Sequence, residues 1–320
     1  MFLTNWRRLM NTSKTFRTEI TLLVALAASA GFFGYLGYGL LELPVSPASF
    51  SAEQAMAYVE EQMAFGPRIT GTDAHREMGD WMVHELTSNG WDVLIQPFRP
   101  LPQVEARNFV AFKGSGPVII LGAHYDTRIY SDEDPDPANR EKPVPGANDG
   151  ASGVAVLLEL ARTLDVDSTD HTICLAFFDA EDNGRIPGWD WILGSRHFVE
   201  NLESLGECQS PRYTVIVDMI GDADQQLLWE PNSDRRLTEA IWSVADQLGY
   251  GEWFRLAPGT PIIDDHTPFI EAGYTAIDII DFTYPYWHTV EDTIDKLGEE
   301  SFERVGATLE VWLENGAPGP

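Results

Sequence analysis

The stretch Cys174-Leu175-Ala176-Phe177-Phe178-Asp179-Ala180-Glu181-Asp182 decides the fold class. Its five apolar residues are typical of a strand buried on both faces, and the acidic residues follow where that strand ends. The pattern recurs at 118–121, which leads into His124-Tyr125-Asp126, and at 215–217, which leads into Asp218. In sheets of parallel strands, ligands bind outside the carboxyl ends of the strands. These polar side chains are therefore predicted to meet at one edge of a sheet.

Strand-like runs and helical patterns alternate along most of the chain. Apolar runs predict strands at 93–98, 108–112, 118–123, 172–178, 213–219 and 275–280. Apolar residues spaced by three and four predict helices at 154–164, 237–248 and 301–313, and Ser51 is expected to cap a helix that runs to about Phe65. This alternation predicts an α/β fold with a mostly parallel central β-sheet, covered by helices on both faces.

The N-terminal region carries a long uncharged segment. Residues 20–41 contain no charged side chain and are long enough to cross a hydrocarbon core of roughly 30 Å. Four basic residues precede the segment, which by the positive-inside rule places the N-terminus in the cytoplasm and residues after 42 outside. A transmembrane anchor is expected. The alternative is a signal peptide cleaved at Ala28-Ser29-Ala30 and a secreted product.

Composition narrows the possible partners. The chain holds 21 basic and 50 acidic residues, a formal net charge of −29. Such a surface repels nucleic acid and weakly favours cationic ligands, for example peptides with a free α-amine. The two cysteines, Cys174 in an apolar run and Cys208 in a polar loop, do not indicate a disulfide framework. Composition leaves the oligomeric state unknown.

Carboxylates and imidazoles from five segments are predicted to converge on one sheet edge. An isolated aspartate at a strand end is usually a turn former, but five segments delivering such residues together indicate a site. Mixed imidazole and carboxylate ligands suit Zn²⁺ with positions left open for catalysis. Asp149 lies in a glycine-rich turn before a helix, where it is also a candidate N-cap. The candidate metal residues are His124, Asp149, Glu181, Asp182, Asp218 and His288.

The order of these segments resembles that in zinc aminopeptidases and in mammalian-type glutaminyl cyclases. The resemblance spans about 51–313 and is carried by the blocks Gly122-Ala123-His124-Tyr125-Asp126, Asn148-Asp149-Gly150, Phe178-Asp179-Ala180-Glu181-Asp182, Gly194-Ser195-Arg196-His197, Asp218-Met219-Ile220-Gly221 and Trp287-His288-Thr289. It implies the α/β/α sandwich of the zinc aminopeptidases. In the aminopeptidases the six candidate residues would serve two zinc ions, with Asp149 bridging them and Glu181 activating a water.

The cyclase resemblance implies a different use of the same residues. One zinc ion would be held by Asp149, Asp182 and His288, although many relatives carry Glu in place of Asp182. His124 and Asp126 would then be second-metal candidates or residues that support the ligands. Glu181 would be the general base and acid.

Three features favour the cyclase over the aminopeptidase. Asp264-Asp265 resembles a cyclase pair whose first position is more often serine or another residue in aminopeptidases, and the resemblance implies that Asp264, backed by Asp218, forms a hydrogen-bond relay. Trp287 directly precedes His288, as in the aromatic pocket of the cyclases. The loop 183–193 carries further tryptophans. The resemblance implies substrate-binding roles for Trp287, Trp191, Trp189 and Tyr284. One departure is Asp278, which replaces a histidine of the mammalian enzymes.

The expected function is therefore zinc-dependent closure of N-terminal glutamine of peptides or proteins to pyroglutamate, with release of ammonia. The alternative is a zinc aminopeptidase with two ions. A catalytically inactive receptor-like ectodomain would need a lost ligand or base, and the sequence retains them all. The expected organisation is a cytoplasmic tail at 1–19, an anchor at 20–41, a linker at 42–50 and an extracytoplasmic catalytic domain at 51–320.

Overall fold

The computed structural model describes residues 48–320, together with Thr21, Leu26, Ala27 and Ser29. The chain divides into two units, Met1–Ser46 and Pro47–Pro320, and the labelled helices and strands belong to the second. The predicted cytoplasmic tail and, apart from those four residues, the predicted anchor lie outside the described residues. Among the residues that are described, no helix has both the length and the apolar character needed to cross a bilayer.

Between residues 48 and 320, helices and strands alternate for most of the chain. The helices are α1 (Ala52–Ala64), α2 (Asp73–Ser88), α3 (Ala151–Thr163), α4 (Leu193–Glu200), α5 (Arg235–Gln247), α6 (Thr267–Glu271) and α7 (Glu299–Glu314). The strands are β1 (Asp92–Leu101), β2 (Val104–Gly114), β3 (Val118–His124), β4 (Thr172–Phe178), β5 (Tyr213–Asp218), β6 (Leu227–Trp229), β7 (Phe254–Pro258) and β8 (Ala276–Ile280). All the strands and helices predicted between residues 51 and 313 are present, with ends shifted by a few residues.

Six strands form one mixed sheet in the order β1-β2-β4-β3-β5-β8, while β6 and β7 form a separate parallel pair. The pairs β3–β4, β3–β5 and β5–β8 are parallel, whereas β2 pairs antiparallel with both β1 and β4. The predicted parallel arrangement therefore holds for the four strands β4, β3, β5 and β8. Strand β2 departs from it because only residues 102 and 103 separate it from β1, too short a connection for a parallel crossover.

Helices cover both faces of the sheet. Alternate strand residues such as Ile120, Phe178 and Ile216 share one buried cluster with Phe198 of α4 and Phe269 of α6. The opposite face meets α3, which approaches so closely that a Cβ at Gly153 would collide with the carbonyl of Val217. Helix α3 is buried from Ala151 to Ala161, because α1 and α7 pack on its outer side.

The N-terminal end of the domain is fixed by two buried carboxylates. Ser51 caps α1 as predicted, its hydroxyl accepting from the Gln54 amide at 3.2 Å. Glu159 of α3 accepts the Ser51 amide at 2.9 Å, and Glu310 of α7 accepts the Phe50 amide at 2.9 Å. Because a buried carboxylate is costly unless it is hydrogen-bonded, these contacts define where the chain enters the fold.

The cysteines form a disulfide, so the prediction that they would not was wrong. Cys174 of β4 and Cys208 are bonded with their Cα atoms 6.0 Å apart. The polar neighbours Glu207 and Gln209 suggested an exposed loop, but after α4 the chain returns to the sheet and Cys208 is fully buried in the same cluster as Cys174. Because both neighbours of Cys208 are polar, the sequence did not indicate that its side chain lies in the core.

We expect that replacing both cysteines by alanine lowers the free energy of unfolding by about 3 to 4 kcal/mol, the loop-closure contribution for a separation of 34 residues. Urea unfolding of the domain, followed by tryptophan fluorescence, measures this. Wild-type protein unfolded in urea with a reducing agent is the control and should approach the variant. Unreduced wild type that takes up a thiol-alkylating reagent after unfolding would show that the disulfide is absent.

Candidate active site

Three neighbouring parallel strands end at one edge of the sheet, each with a polar side chain. Strand β3 ends at His124, which pairs with Phe178 in β4, and Glu181 and Asp182 follow three and four residues later. Strand β5 ends at Asp218, paired with Ile280 of β8. All these polar residues are buried, with exposures of 7% or less. The predicted convergence of strand ends is therefore present.

Asp149, Asp182 and His288 form one group able to hold a metal ion, their ligand atoms lying within 4.8 Å of one another. His288 Nε2 is 2.7 Å from Asp182 Oδ1 and 3.5 Å from Asp149 Oδ2. Asp149 Oδ2 and Asp182 Oδ2 are buried and have no hydrogen-bond donor in the described part of the chain. One ring nitrogen cannot satisfy two buried carboxylates, whereas a cation with three protein ligands and an open position can.

A second group shares Asp149 with the first. His124 Nε2 lies 3.1 Å from Asp149 Oδ1 and 3.1 Å from Asp218 Oδ1, and these three residues also bring ligand atoms within 4.8 Å. Asp149 thus presents one oxygen to each group, as a carboxylate bridging two ions would. The residues fit one zinc ion or two.

The Asp149 turn is fixed by a residue that the sequence interpretation missed. Asp292 accepts the amides of Asn148 at 2.8 Å and Asp149 at 3.1 Å, and the Tyr284 hydroxyl at 2.8 Å. Burial, followed by the charge of Asp149, raises the pKa of Asp292 to about 7. The Asp149 side chain does not cap α3, whose N-cap is Gly150. Its carboxylate is therefore free for a metal, and the only sequence signal for Asp292 was its closeness to His288.

Asp126 supports the turn that carries Glu181 and Asp182. Its carboxylate accepts the Glu181 amide at 3.0 Å and the Asp182 amide at 3.4 Å. Arg128 donates to the Asp182 carbonyl at 2.6 Å from the same side. Asp126 is in none of the candidate metal groups of the described residues, and its role as a second-metal or supporting residue stays a prediction. Arg128 was not identified from the sequence.

Backbone strain is concentrated at this edge. His288 itself, Ala180 just before Glu181 and Met219 just after Asp218 have φ values of 54°, 56° and 46°. Non-glycine residues adopt this left-handed conformation at a cost, and such residues gather at sites where the surrounding structure enforces them. Here the enforcing contacts include Asn148, which donates to the Met219 carbonyl at 3.2 Å and accepts the Gly221 amide at 2.7 Å.

A cavity of about 330 Å³ opens onto both groups, and Glu181, Asp218, Asp264, Trp191 and Trp287 line it. Trp287 and Trp191 both stack on the His288 ring, with centroids 3.7 Å and 6.1 Å away. Of the other predicted substrate-binding residues, Trp189 does not line this cavity, and Tyr284 is buried with its hydroxyl bonded to Asp292.

Two acid groups in this cavity, Glu181 and Asp264, have raised pKa values. Burial is the largest influence on Glu181 and raises its pKa well above the usual range; His124 opposes this, while Asp182 and Asp264 add to it. Burial, followed by the charges of Asp218 and Asp265, likewise raises the pKa of Asp264 well above its usual range. A carboxyl group with a raised pKa can hold a proton near neutral pH and exchange it with a substrate.

A second layer of polar residues lies behind Asp264. Asp278 on β8 and His266 bring ligand atoms within 4.8 Å of Asp264, and His266 Nε2 is 3.1 Å from the buried Glu230. Glu230 also accepts the amides of Ser233 at 2.7 Å and Ile262 at 3.1 Å. The sequence interpretation missed Glu230, which links the Asp264 segment to the end of β6.

We expect D149N, D182N and H288N each to abolish tight zinc binding, because each variant loses one of three protein ligands. Elemental analysis of the purified protein measures the zinc content. D292N is the matched control: it removes a supporting carboxylate and no ligand, so its zinc affinity should fall by about 10- to 100-fold while the stoichiometry at saturation is kept.

H124N removes a candidate ligand from the second group only. Its zinc content, compared with that of the wild type, therefore shows how many ions the site binds. With one ion in the first group, wild type and H124N both bind one zinc per chain. Two ions in the wild type and one in H124N would assign a metal to each group. A D182N protein that still binds all its zinc tightly would contradict the ligand assignment.

Residues 109–313 match the sequence model of peptidase family M28. A Zn-dependent exopeptidase from Parabacteroides distasonis is 34% identical, with a TM-score of 0.78, over 84% of this chain and 100% of that chain. A glutaminyl cyclase from Bacteroides thetaiotaomicron is 32% identical, with a TM-score of 0.79, over 84% and 99%.

Proteins with similar sequences likewise include both aminopeptidases and glutaminyl cyclases. An aminopeptidase of Bacillus subtilis is 28% identical over 59% of this chain and 39% of its own length. A glutaminyl-peptide cyclotransferase-like protein of Mus musculus is 27% identical over 71% of this chain and 65% of its own length. The chain thus spans less than two thirds of each of these relatives.

Proposed function

Because this chain belongs to peptidase family M28, we propose that its site acts on the N-terminus of a peptide or protein and that it is a glutaminyl cyclase. The observation that carries the choice is the position of Asp264. This buried carboxyl group lines the same cavity as Glu181, and its raised pKa lets it hold a proton there. The solved glutaminyl cyclases at 27 to 34% identity support the same choice.

The shape and charge of the cavity suit a short polar side chain with a free amine. Its volume of about 330 Å³ is at the lower end of the range for small-ligand sites. Trp191 and Trp287 form apolar walls beside the candidate metal ligands, where they would exclude water. The acidic floor favours the protonated amine of an arriving peptide.

The residues of this chain can carry out the proton transfers of ring closure. Zinc, when bound by Asp149, Asp182 and His288, supplies Lewis-acid polarisation of a carbonyl oxygen. Glu181 accepts a proton from the substrate α-amine, whose nitrogen then forms a bond to the side-chain carbonyl carbon. Glu181 returns the proton to the amide nitrogen, and the bond from that carbon to the nitrogen breaks, so that the nitrogen leaves as ammonia. Asp264 donates a hydrogen bond to the reacting amide.

Hydrolysis by an aminopeptidase is the second candidate, and the group formed by His124, Asp149 and Asp218 favours it. The two groups, which share Asp149, would hold two ions, and two ions would supply activation of a water for hydrolysis. To distinguish the reactions, the zinc-loaded protein is incubated with Gln-peptides and Leu-peptides. Mass spectrometry then separates loss of ammonia from loss of the whole first residue. Release of leucine without any pyroglutamate would refute the cyclase.

We expect D264N to lower kcat for a Gln-peptide with little change in KM, because the relay acts on charge that develops in the transition state. E181Q is the reference for loss of the general base and should lose roughly 10² to 10⁴ in rate while keeping zinc. Thermal melting of D264N is the structural control. A D264N protein that melts normally and cyclises at the wild-type rate would remove the main argument for the cyclase.

We also propose that residues 20–41 anchor the chain, with the catalytic domain outside the cytoplasm. The uncharged segment and the basic residues before it support this proposal. Full-length protein should stay with membranes during a carbonate wash and retain its N-terminus. A soluble product beginning near Gly31 would instead indicate cleavage.

A further inference from the structure

One arginine lies in the wall of a cavity whose other charged residues are all acidic. Arg185 lines the cavity together with Asp149, Glu181, Asp182, Asp218 and Asp264. It lies three residues beyond Asp182 in the loop that leads to α4, and its side chain is exposed. A cation at the exposed wall of an acidic cavity can attract a part of the ligand that the acids repel.

The charge of Arg185 is not compensated by another group in the described part of the protein. Within residues 48–320, its guanidinium makes no ion pair, hydrogen bond or ring contact. By contrast, the arginines around a larger cavity of about 790 Å³ are each paired with an acid: Arg76 with Asp73, Arg99 with Glu105 and Arg107 with Asp80. Their charge is compensated, whereas the charge of Arg185 remains available to a ligand.

The loop holds the backbone of Arg185 in a conformation that is unfavourable for arginine. Arg128 donates to the carbonyls of Asp182 at 2.6 Å and Gly184 at 3.1 Å, just before it. Gly184 packs so closely on Trp191 that a Cβ there would collide with the indole. Arg185 itself has φ 62°, in the left-handed region that arginine rarely adopts. Strain kept at a cavity wall, with no internal contact to explain the side chain, indicates a role in binding.

We propose that Arg185 binds a carboxylate of the substrate next to its N-terminal residue: the side chain of Asp or Glu at the second position, or the C-terminus of a dipeptide. The inference rests on the proposed action on peptide N-termini. The N-terminal residue occupies the part of the cavity beside Glu181 and Asp182, and the next residue passes Arg185. The planar guanidinium matches a carboxylate with two parallel hydrogen bonds. This preference for a carboxylate applies only to the position next to the N-terminal residue, because the net charge of −29 favours cationic peptides in general.

The test compares substrates that differ only in charge: Gln-Glu-amide with Gln-Gln-amide, and Gln-Ala with Gln-Ala-amide. In the wild type we expect kcat/KM to be about fivefold higher for the charged member of each pair, as for a partly exposed ion pair, and the ratio to fall with added salt. R185N should bring the ratio to one or below. Asparagine tolerates the left-handed backbone, so this variant removes the charge without a new strain. R185K should retain part of the preference.

R236N is the control for net charge, because Arg236 is exposed on α5 and does not line the cavity. Its ratio should equal that of the wild type. A wild-type ratio of one or less, or an R185N ratio equal to that of the wild type, would overturn the inference.

Measuring both products separates this inference from the proposed function. Released glutamine without pyroglutamate would refute the cyclase, and the hydrolysis ratio for the same pairs would still test Arg185. Calorimetric binding of each pair to zinc-loaded E181Q gives the ratio without turnover. Equal affinities there would refute the role of Arg185, whichever reaction the wild type performs.

Discussion

The carboxylate of Asp149 is the contact on which the site depends. One of its oxygens lies 3.1 Å from His124 and the other 3.5 Å from His288, so one aspartate faces both candidate metal groups. Asp182 and Asp218 complete these groups, and all five side chains are buried. Gathering so many carboxylates in a buried place is unfavourable unless cations are bound there. The fold around them is therefore organised to hold a metal, and stability alone would not select this arrangement.

The supporting residues are mainly acids that accept backbone amides. Asp126 holds the Glu181 turn, Asp292 holds the Asp149 turn, and Glu230 holds the segment that carries Asp264. An amide can satisfy a buried carboxylate without adding a competing cation, and it fixes the backbone at the same time. Such contacts can enforce the left-handed backbone conformation of the residues beside the ligands. Each of these residues lies within a few positions of an amide or carbonyl that is held by a hydrogen bond.

Local pattern was enough to predict the six strands of the main sheet, four of the helices, and the edge where the site forms, whereas β6, β7, α2, α4 and α6 were not predicted. The apolar run 172–178 and the acids after it place Glu181 and Asp182 through backbone geometry alone, which a sequence displays. Asp292, Glu230 and Arg128 could not be found that way, since each acts through a hydrogen bond to a distant segment. The same limit explains Cys208, whose direction is set by the return of the chain to the sheet and not by its polar neighbours.

The metal ligands do not choose between hydrolysis and cyclisation, because Asp149 can serve one ion or two. The choice depends on what else reaches the substrate: whether water has access beside the ions, and whether a protonated acid meets the leaving nitrogen. In the reaction that we propose, Trp191 and Trp287, which line the cavity, would restrict the first, and Asp264, whose pKa is raised, would provide the second. Chains with the same ligand set can therefore diverge in reaction by changing the walls of the cavity. The loop 183–193, which carries both Trp191 and Arg185, lines the cavity without supplying a ligand to the groups that contain Asp149, so this wall can change while those ligands stay in place.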